Sequence, residues 1–314
     1  MVPGLSLCMD RGMRKLAKLY GALFTLSLIW GTSFLFIKLL VEPLGAWGVV
    51  FGRCLFGTVI LLLIMAFRKE WKGFKGLPFG MIVLVSLLNN AIPWFLIALS
   101  ETKITSSYAS LINATTPIWT MIIGFLFFHN RLRLFQWFGI ALGFIGIIIL
   151  SGVDVTNIKD QSIVGLLTMV GATLCYGFST HFTKKYLSTI GVTMISLSTL
   201  LVSAIISFIM VLITDRTIFT MMLEPSIFGA LVGLGVFGSG LAYLLYYYCI
   251  QKGSPEFASL VTYLVPISAM LWGAFILNEV IHLSMLTGFI LIIGGVYVSS
   301  RKPKEKNIPM SKTA

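Results

Sequence analysis

The stretch LYGALFTLSLIWGTSFLFIKLL, residues 19–40, decides the fold. It runs for 22 residues with one charge, Lys38, close to its end. An α-helix rises about 1.5 Å per residue, so a run of this length crosses a hydrocarbon core about 30 Å thick. Arg11, Arg14, Lys15 and Lys18 precede it, as basic residues precede a signal peptide. The run is longer than a signal peptide's apolar region and no small-residue cleavage site follows, so it is expected to stay in place as a membrane span. The polar residues before it read as a tail, residues 1–18, with Met9 and Met13 as alternative starts.

Outward from this stretch, nine further apolar runs follow at roughly 46–67, 77–99, 105–128, 134–151, 163–183, 192–213, 226–250, 256–277 and 284–300. The connectors are short and leave no room for a soluble domain. Only Ser100 to Lys103 separate the third run from the fourth. Barrel strands alternate apolar and polar residues; these runs are apolar throughout, so helices are expected. Composition agrees. The chain has 314 residues, 57% hydrophobic and 11% charged, against about 25% charged in soluble domains. Its solvent must largely be lipid.

The net charge of +12 could suit nucleic acid, but the basic residues stand in clusters between apolar runs, the way membrane proteins mark cytoplasmic loops. With the N-terminus in the cytoplasm, eighteen of the 23 lysines and arginines fall on the inner side. Lys103, Lys159 and Arg216 fall outside, and Lys38 and Arg53 lie within spans. A missed span would break this alternation. Both termini are therefore expected in the cytoplasm, including a basic tail over 301–314. Of the four cysteines, Cys54, Cys175 and Cys249 lie in apolar runs and none forms a Cys-x-x-Cys pair. They read as small apolar residues, with no disulfide framework or zinc site.

The chain repeats itself. Trp30-Gly31-Thr32-Ser33 with Lys38 matches Tyr176-Gly177-Phe178-Ser179 with Lys184 at a shift of 146. Ala109-Ser110-Leu111 and Pro117 match Ala258-Ser259-Leu260 and Pro266 at a shift of 149. The same shift pairs Trp94 with Tyr243, Lys103 with Lys252, Gly139 with Gly288 and Gly146 with Gly295. The expected fold is all-α, ten transmembrane helices in two five-helix halves, 19–151 and 163–300. Five is odd, so the second half must sit inverted relative to the first. Inverted repeats recur in secondary transporters, with the binding site near mid-membrane between the halves.

With these features the sequence resembles the drug/metabolite transporter superfamily, in particular its EamA-type ten-helix members. The resemblance is carried by Trp30-Gly31-Thr32-Ser33-Phe34, Arg53, the stretch Ser110 to Pro117 and its partner Ser259 to Pro266. Asn278-Glu279, Gly288 and Gly294-Gly295 add to it. It covers about residues 20–300. It implies export or exchange of amino acids, other metabolites or toxic compounds across the cytoplasmic membrane. It departs at Asn130, where many members carry the glutamate that the second half keeps as Glu279.

Intramembrane ionisable groups are the first functional candidates, because burying them is costly. Arg53 lies about seven residues inside its span, roughly 10 Å deep. It can hold backbone carbonyls or meet an anionic substrate group. His181 can titrate near neutral pH and couple proton movement, or simply hydrogen-bond a neighbouring helix. Lys38 and Lys184 read as snorkelling to the interface, and Glu279 and His282 as solvated. No acidic residue is expected well inside a span, which speaks against strong proton coupling. The substrate-binding candidates are the polar and aromatic groups Trp30, Ser33, Asn90, Trp94, Asn113, Tyr176, Tyr243 and Tyr263. Pro93, Pro117 and Pro266 are expected helix breaks, because proline frees a carbonyl one turn earlier and such carbonyls are tolerated where they line a cavity. A packing kink is the alternative. Glycines at small-residue spacing read as close helix packing.

No Walker loop, metal-ligand cluster or nucleophile–base pair is present in the sequence, so neither an enzyme nor a cofactor is expected. The expected partners are a small molecule and the bilayer, not nucleic acid. A lipid-acting intramembrane enzyme and a non-transport interaction protein are the competing classes.

Overall fold

The structure is a computed structural model that describes residues 3–69, 77–150, 160–252 and 261–300. The expected tail 301–314, Lys72, Lys75, Lys159 and the Ala258-Ser259-Leu260 segment lie outside the described residues. The first element, α1 (Pro3–Arg68), is broken at Gly45, whose φ of 62° only glycine adopts without strain. Trp30 and Arg53 show what this break does. Along a straight helix they would stand about 35 Å apart. Yet both hydrogen-bond the carbonyl of Gly238, at 3.2 and 3.4 Å. The chain therefore doubles back at Gly45, and α1 supplies two adjacent rods.

The chain continues with α2 (Phe79–Ser86), a π-helical turn at Leu87–Ala91 and α3 (Ile92–Glu101). Next come α4 (Ser106–Asn113) and α5 (Thr116–Phe127), parted at Ala114 and Thr115, then α6 (Leu134–Leu150). After these come α7 (Asp160–Tyr186), α8 (Val192–Thr214) and the short α9 (Ile218–Met221). A second rod is α10 (Pro225–Val232), a π-helical stretch at Gly233–Leu241, and α11 (Ala242–Lys252). The last two helices are α12 (Val261–Ile276) and α13 (Leu283–Ser300). Among the described residues the chain is all-helical. Six stretches of the described residues are long and apolar enough to cross a membrane, and Leu134–Ile149, Val261–Ile276 and Leu283–Ser299 are shorter apolar helices. Their outward faces carry large bare side chains such as Phe67, 86% exposed, and Phe275, 79% exposed. Such a surface belongs in lipid: this is a multi-pass membrane protein.

Sequence repeat becomes geometry at several places. His129 and Asn278, 149 residues apart, have φ of 56° and 54°. The residue after each closes the same turn: Asn130 N–H donates to Gly124 O and Glu279 N–H to Gly273 O, both at 3.0 Å. The most extensive helix pair is α6 against α13, and glycine makes it possible. A Cβ on Gly139 would lie 2.4 Å from Gly295 O, and one on Gly146 would lie 2.8 Å from Gly288 O. The repeat exchanges these two contacts for one another. Likewise Gly31 backs onto Ser268 and Ala269 of α12, while its mate Gly177 backs onto Thr120 and Ile123 of α5.

The expected breaks fare differently. Pro93 follows the π turn, and Pro117 opens α5 beyond the interruption at Ala114. Pro266 instead lies inside the continuous helix Val261–Ile276, a correction to the expected break there. Lateral bonding supports that helix: Ser268 Oγ two residues on donates across to Ser27 O of α1 at 2.7 Å.

Candidate functional site

The two π-helical segments lie at equivalent places in the repeat, and each re-aims polar groups inward. π turns inside α-helices are often functional. In the first, Ile92 N–H reaches back five residues to Leu87 O, which leaves Asn89 and Asn90 on the inner side of the rod. Asn89 Oδ1 accepts from Ser179 Oγ at 3.2 Å, and Asn89 Nδ2 donates to Asn90 Oδ1 at 3.0 Å. Tyr243 Oη donates to Asn90 Oδ1 at 3.4 Å. In the second segment, Gly238 faces Ser33 so closely that a Cβ would lie 2.7 Å from Ser33 Oγ. Ser33–Gly238 and Ser179–Asn89 are the same contact in the two copies.

Arg53 joins the halves. Its Nε donates to Ser239 Oγ at 2.9 Å and its Nη2 to Gly238 O. Its guanidinium carbon stands 3.9 Å from the Trp94 ring centre, in cation–π contact. The residue is buried, so both alternatives for it hold geometrically: it braces backbone, and it presents a cation to the interior.

That interior is a cavity of about 450 Å³. Trp30, Trp94, Tyr176, Tyr243 and Tyr246 give it aromatic walls; Ser33, Asn89, Asn113 and Thr199 give it polar points. The volume suits a metabolite-sized molecule. Of the sequence candidates, Trp30, Ser33, Trp94, Asn113, Tyr176, Tyr243 and Arg53 line it. Asn90 stands just behind, fully buried. Tyr263 is not among the lining residues, although Thr262 and Val265 of the same helix are. His181 is also outside the lining. Its Nε2 lies 2.9 Å from Thr120 O and its ring stacks on Phe128 at 4.5 Å, so it ties α7 to α5. Sequence reasoning missed Thr199 as a lining residue and left Tyr246 off the binding candidates. One signal for Tyr246 was its position, three residues after Tyr243 and therefore on the same helix face.

Three charged residues, Lys38, Glu279 and Glu101, need correction. Lys184, read as a snorkelling lysine, is exposed and lines the cavity at one end. The cavity runs from Arg53 and Ile97 to this mouth. Lys38, its repeat mate, turns inward: Nζ donates to Glu101 O and to Ile104 O, the latter at 3.1 Å. A cation on carbonyls at the C-terminus of α3 is favourable, and that outweighs reaching for the interface. Glu279, read as solvated, accepts from Ser106 N at 2.8 Å, Ser106 Oγ at 2.9 Å, Ser107 N at 3.0 Å and Ser107 Oγ. Thr105 Oγ1 accepts from Tyr108 N. Together they satisfy the unpaired N–H groups that open α4. Finally, an acidic residue does lie inside the bundle. Glu101 was read as part of the polar connector after Ser100, but it is the last residue of α3 and fully buried.

Comparison with known proteins gives this geometry a family. The EamA-like transporter family matches residues 18–152 and again 163–301. The chain is similar to the uncharacterized inner membrane transporter YedA of Escherichia coli K12, 30% identical over 83% of each chain. It is 24% identical to an uncharacterized transporter of Archaeoglobus fulgidus, over 87% of this chain and 95% of that one. It is 28% identical to protein PagO of Salmonella typhimurium, over 87% of this chain and 90% of that one. One solved crystal structure, 15% identical, superposes with a TM-score of 0.65 over 90% of this chain and 96% of that one, a likeness of fold alone. A cavity built from both copies of a repeat inside an apolar bundle is what a membrane carrier of small molecules needs, and this chain belongs to the EamA-like transporter family.

Proposed function

We propose that the protein is a secondary transporter that moves small organic metabolites, amino acids or similar neutral or zwitterionic compounds, across the cytoplasmic membrane by alternating access, as export or exchange. The carrying observation is the cavity: equivalent positions of both halves line it, and it reaches the surface at Lys184 while the Lys38 end is bonded shut. Ten helices in two inverted halves, 19–151 and 163–300, supply the two-state element. The exchanged Gly139–Gly295 and Gly146–Gly288 contacts support that arrangement, because a pseudo-two-fold axis makes each half adopt in turn what the other adopts now. The positive-inside bias supports cytoplasmic termini, which makes the Lys184 mouth the cytoplasmic one and this conformation inward-facing.

The lining chemistry narrows the cargo. Its charged residues are Arg53 and Lys184, with no carboxylate among the lining residues described. A guanidinium in a buried site is suited to bidentate pairing with a carboxylate, and the surrounding rings suit an apolar or planar body. Zwitterions with an apolar side chain meet both demands; a bare cation meets neither.

Counterflow in proteoliposomes tests the reading, with labelled neutral and aromatic amino acids, sugars and nucleosides. Saturable exchange of one class is expected, weakened at least tenfold by Arg53→Gln and reduced by Tyr243→Ala or Asn90→Ala in protein that remains folded. Loss of one charge-assisted pairing is worth about 1.5–3 kcal/mol, which sets that factor. Exchange unaffected by Arg53→Gln sinks carboxylate recognition. Exchange unaffected by the Tyr243 and Asn90 variants together sinks the cavity as the site.

A further inference from the structure

Glu101 has a fully buried side chain, and neither carboxylate oxygen has a hydrogen-bond partner among the described residues. A buried polar group in this condition demands an explanation. Lys38 is beside it, but Lys38 Nζ bonds the backbone carbonyls of Glu101 and Ile104. The other ionisable groups that bear on it are Glu279, seated on Ser106 and Ser107 at the start of α4, and Arg53 of α1. From α7 the neighbour is Gly165, whose carbonyl accepts from Ser100 Oγ at 2.7 Å; Tyr176 lies three turns further along. No described donor is hydrogen-bonded to the carboxylate oxygens.

An anion without donors is far costlier to bury than a neutral acid. Burial without a hydrogen-bond partner favours a neutral carboxyl over an anion at this end. Glu101 stands one helical turn beyond Ile97, on the side away from the Lys184 mouth. Opening of the Lys38 end is the movement that would bring water to it and release Lys38 Nζ to face its charge.

We propose that Glu101 is a proton-binding site that governs the Lys38 end of the transporter: protonated, it permits closure, and ionised, it holds that end open. This rests on the alternating-access reading. The balance is one proton: opening releases H⁺ from the Glu101 carboxyl to water at that face, and closing takes one up from the same face. The closed form binds the proton more tightly, so acidification favours closure. The closed-to-open ratio rises by up to about tenfold per pH unit between the two midpoints, as for any single linked proton.

Spin labels at Thr102 and Val280, both exposed at that end, report the opening by electron–electron distance in liposomes. The labels go into a chain whose own cysteines are replaced by alanine. The wild-type distance distribution is expected to shift to the short form between about pH 8 and pH 5. Glu101→Gln, a neutral mimic, is expected to keep the short form at every pH. Infrared absorption of the wild type at neutral pH is expected to show a protonated carboxyl, which needs no variant. A Glu101→Gln protein that follows the wild-type pH response overturns the proposal, as does the absence of that infrared band. A pH-independent wild-type distance, in liposomes that still exchange substrate, overturns the proton site and leaves the transporter standing. Absence of exchange as well removes the alternating-access reading and the proposal with it.

Discussion

Lys38 and Lys184 occupy the same place in the two copies of the repeat, yet they behave as opposites. Lys38 is drawn into the bundle and bonded to two carbonyls at the end of α3. Lys184 stands exposed at the mouth of the cavity. The same contrast holds for Glu279 and its mate Asn130. The local turn is identical, with the same positive φ and the same backbone bond. But Glu279 spans to the opposite half and closes the start of α4, which an amide offers less well because it brings no charge to the helix N-terminus. On the alternating-access reading proposed above, similar backbones with different end contacts are one of two conformations, in which the two ends serve as inequivalent gates.

Where the halves are alike, damage should be alike, and it should be largest. Gly139→Leu and Gly146→Leu each drive a side chain into a backbone carbonyl of α13. Overpacking of this kind costs about 3 kcal/mol. Thermal unfolding in detergent should show both variants lowered by similar amounts, or both absent from the folded fraction. A large loss for one and none for the other would break the equivalence of the halves. Where they differ, damage should be one-sided. Glu279→Ala removes a carboxylate from four donors and should cost about 2 kcal/mol, the order of a strong cap; Asn130→Ala should cost under about 0.5 kcal/mol. Lys38→Ala should cost about 1 kcal/mol, with Lys184→Ala close to zero by the same denaturation series. Equal effects within either pair would mean that the end contacts seen here do not distinguish the two ends.

Much of this fold could be read in the residues, and the reasons are physical. Apolar runs of spanning length have few alternatives in lipid, so all-helical architecture followed from them. Trp30, Trp94 and Tyr243 were legible as cavity-lining residues because large polar-tipped rings are deep in runs that had no other use for them. The misreadings cluster at helix ends. Glu101, Lys38 and Glu279 sit at boundaries, where a polar residue reads equally as solvated loop or as a cap on a helix from the other half. That choice is made by partners 63 to 173 positions away, which local spacing does not encode. The first π turn was equally invisible, since Leu87–Ala91 carries no proline or glycine of its own. Pro266 failed in the other direction, because a proline signals a lost bond and not a broken helix.

The subtlest difference between the ends is written at the partners of the latch. The repeat mates of Ser106 and Ser107, which donate to Glu279, are Pro255 and Glu256. Proline has no N–H to offer, and a glutamate would repel a second one. In sequence, Asn130 replaces the carboxylate at the Lys184 end, and of the four donor groups of Ser106 and Ser107 the mates Pro255 and Glu256 keep one, the backbone N–H of Glu256. On the alternating-access reading, this biases the resting protein toward the closed Lys38 end. Asn130→Glu alone should therefore not strengthen closure at the Lys184 end. The triple variant Asn130→Glu, Pro255→Ser, Glu256→Ser should strengthen it, by about 1 kcal/mol or a fivefold change in the ratio of the two forms. Spin-label distances across each end read that ratio directly. If the single variant shifts it as far as the triple, the bias resides in Asn130 alone and the donors are incidental. If neither shifts it, the asymmetry of the two ends is set elsewhere in the bundle, and Lys38 with its carbonyl partners is the next place to look.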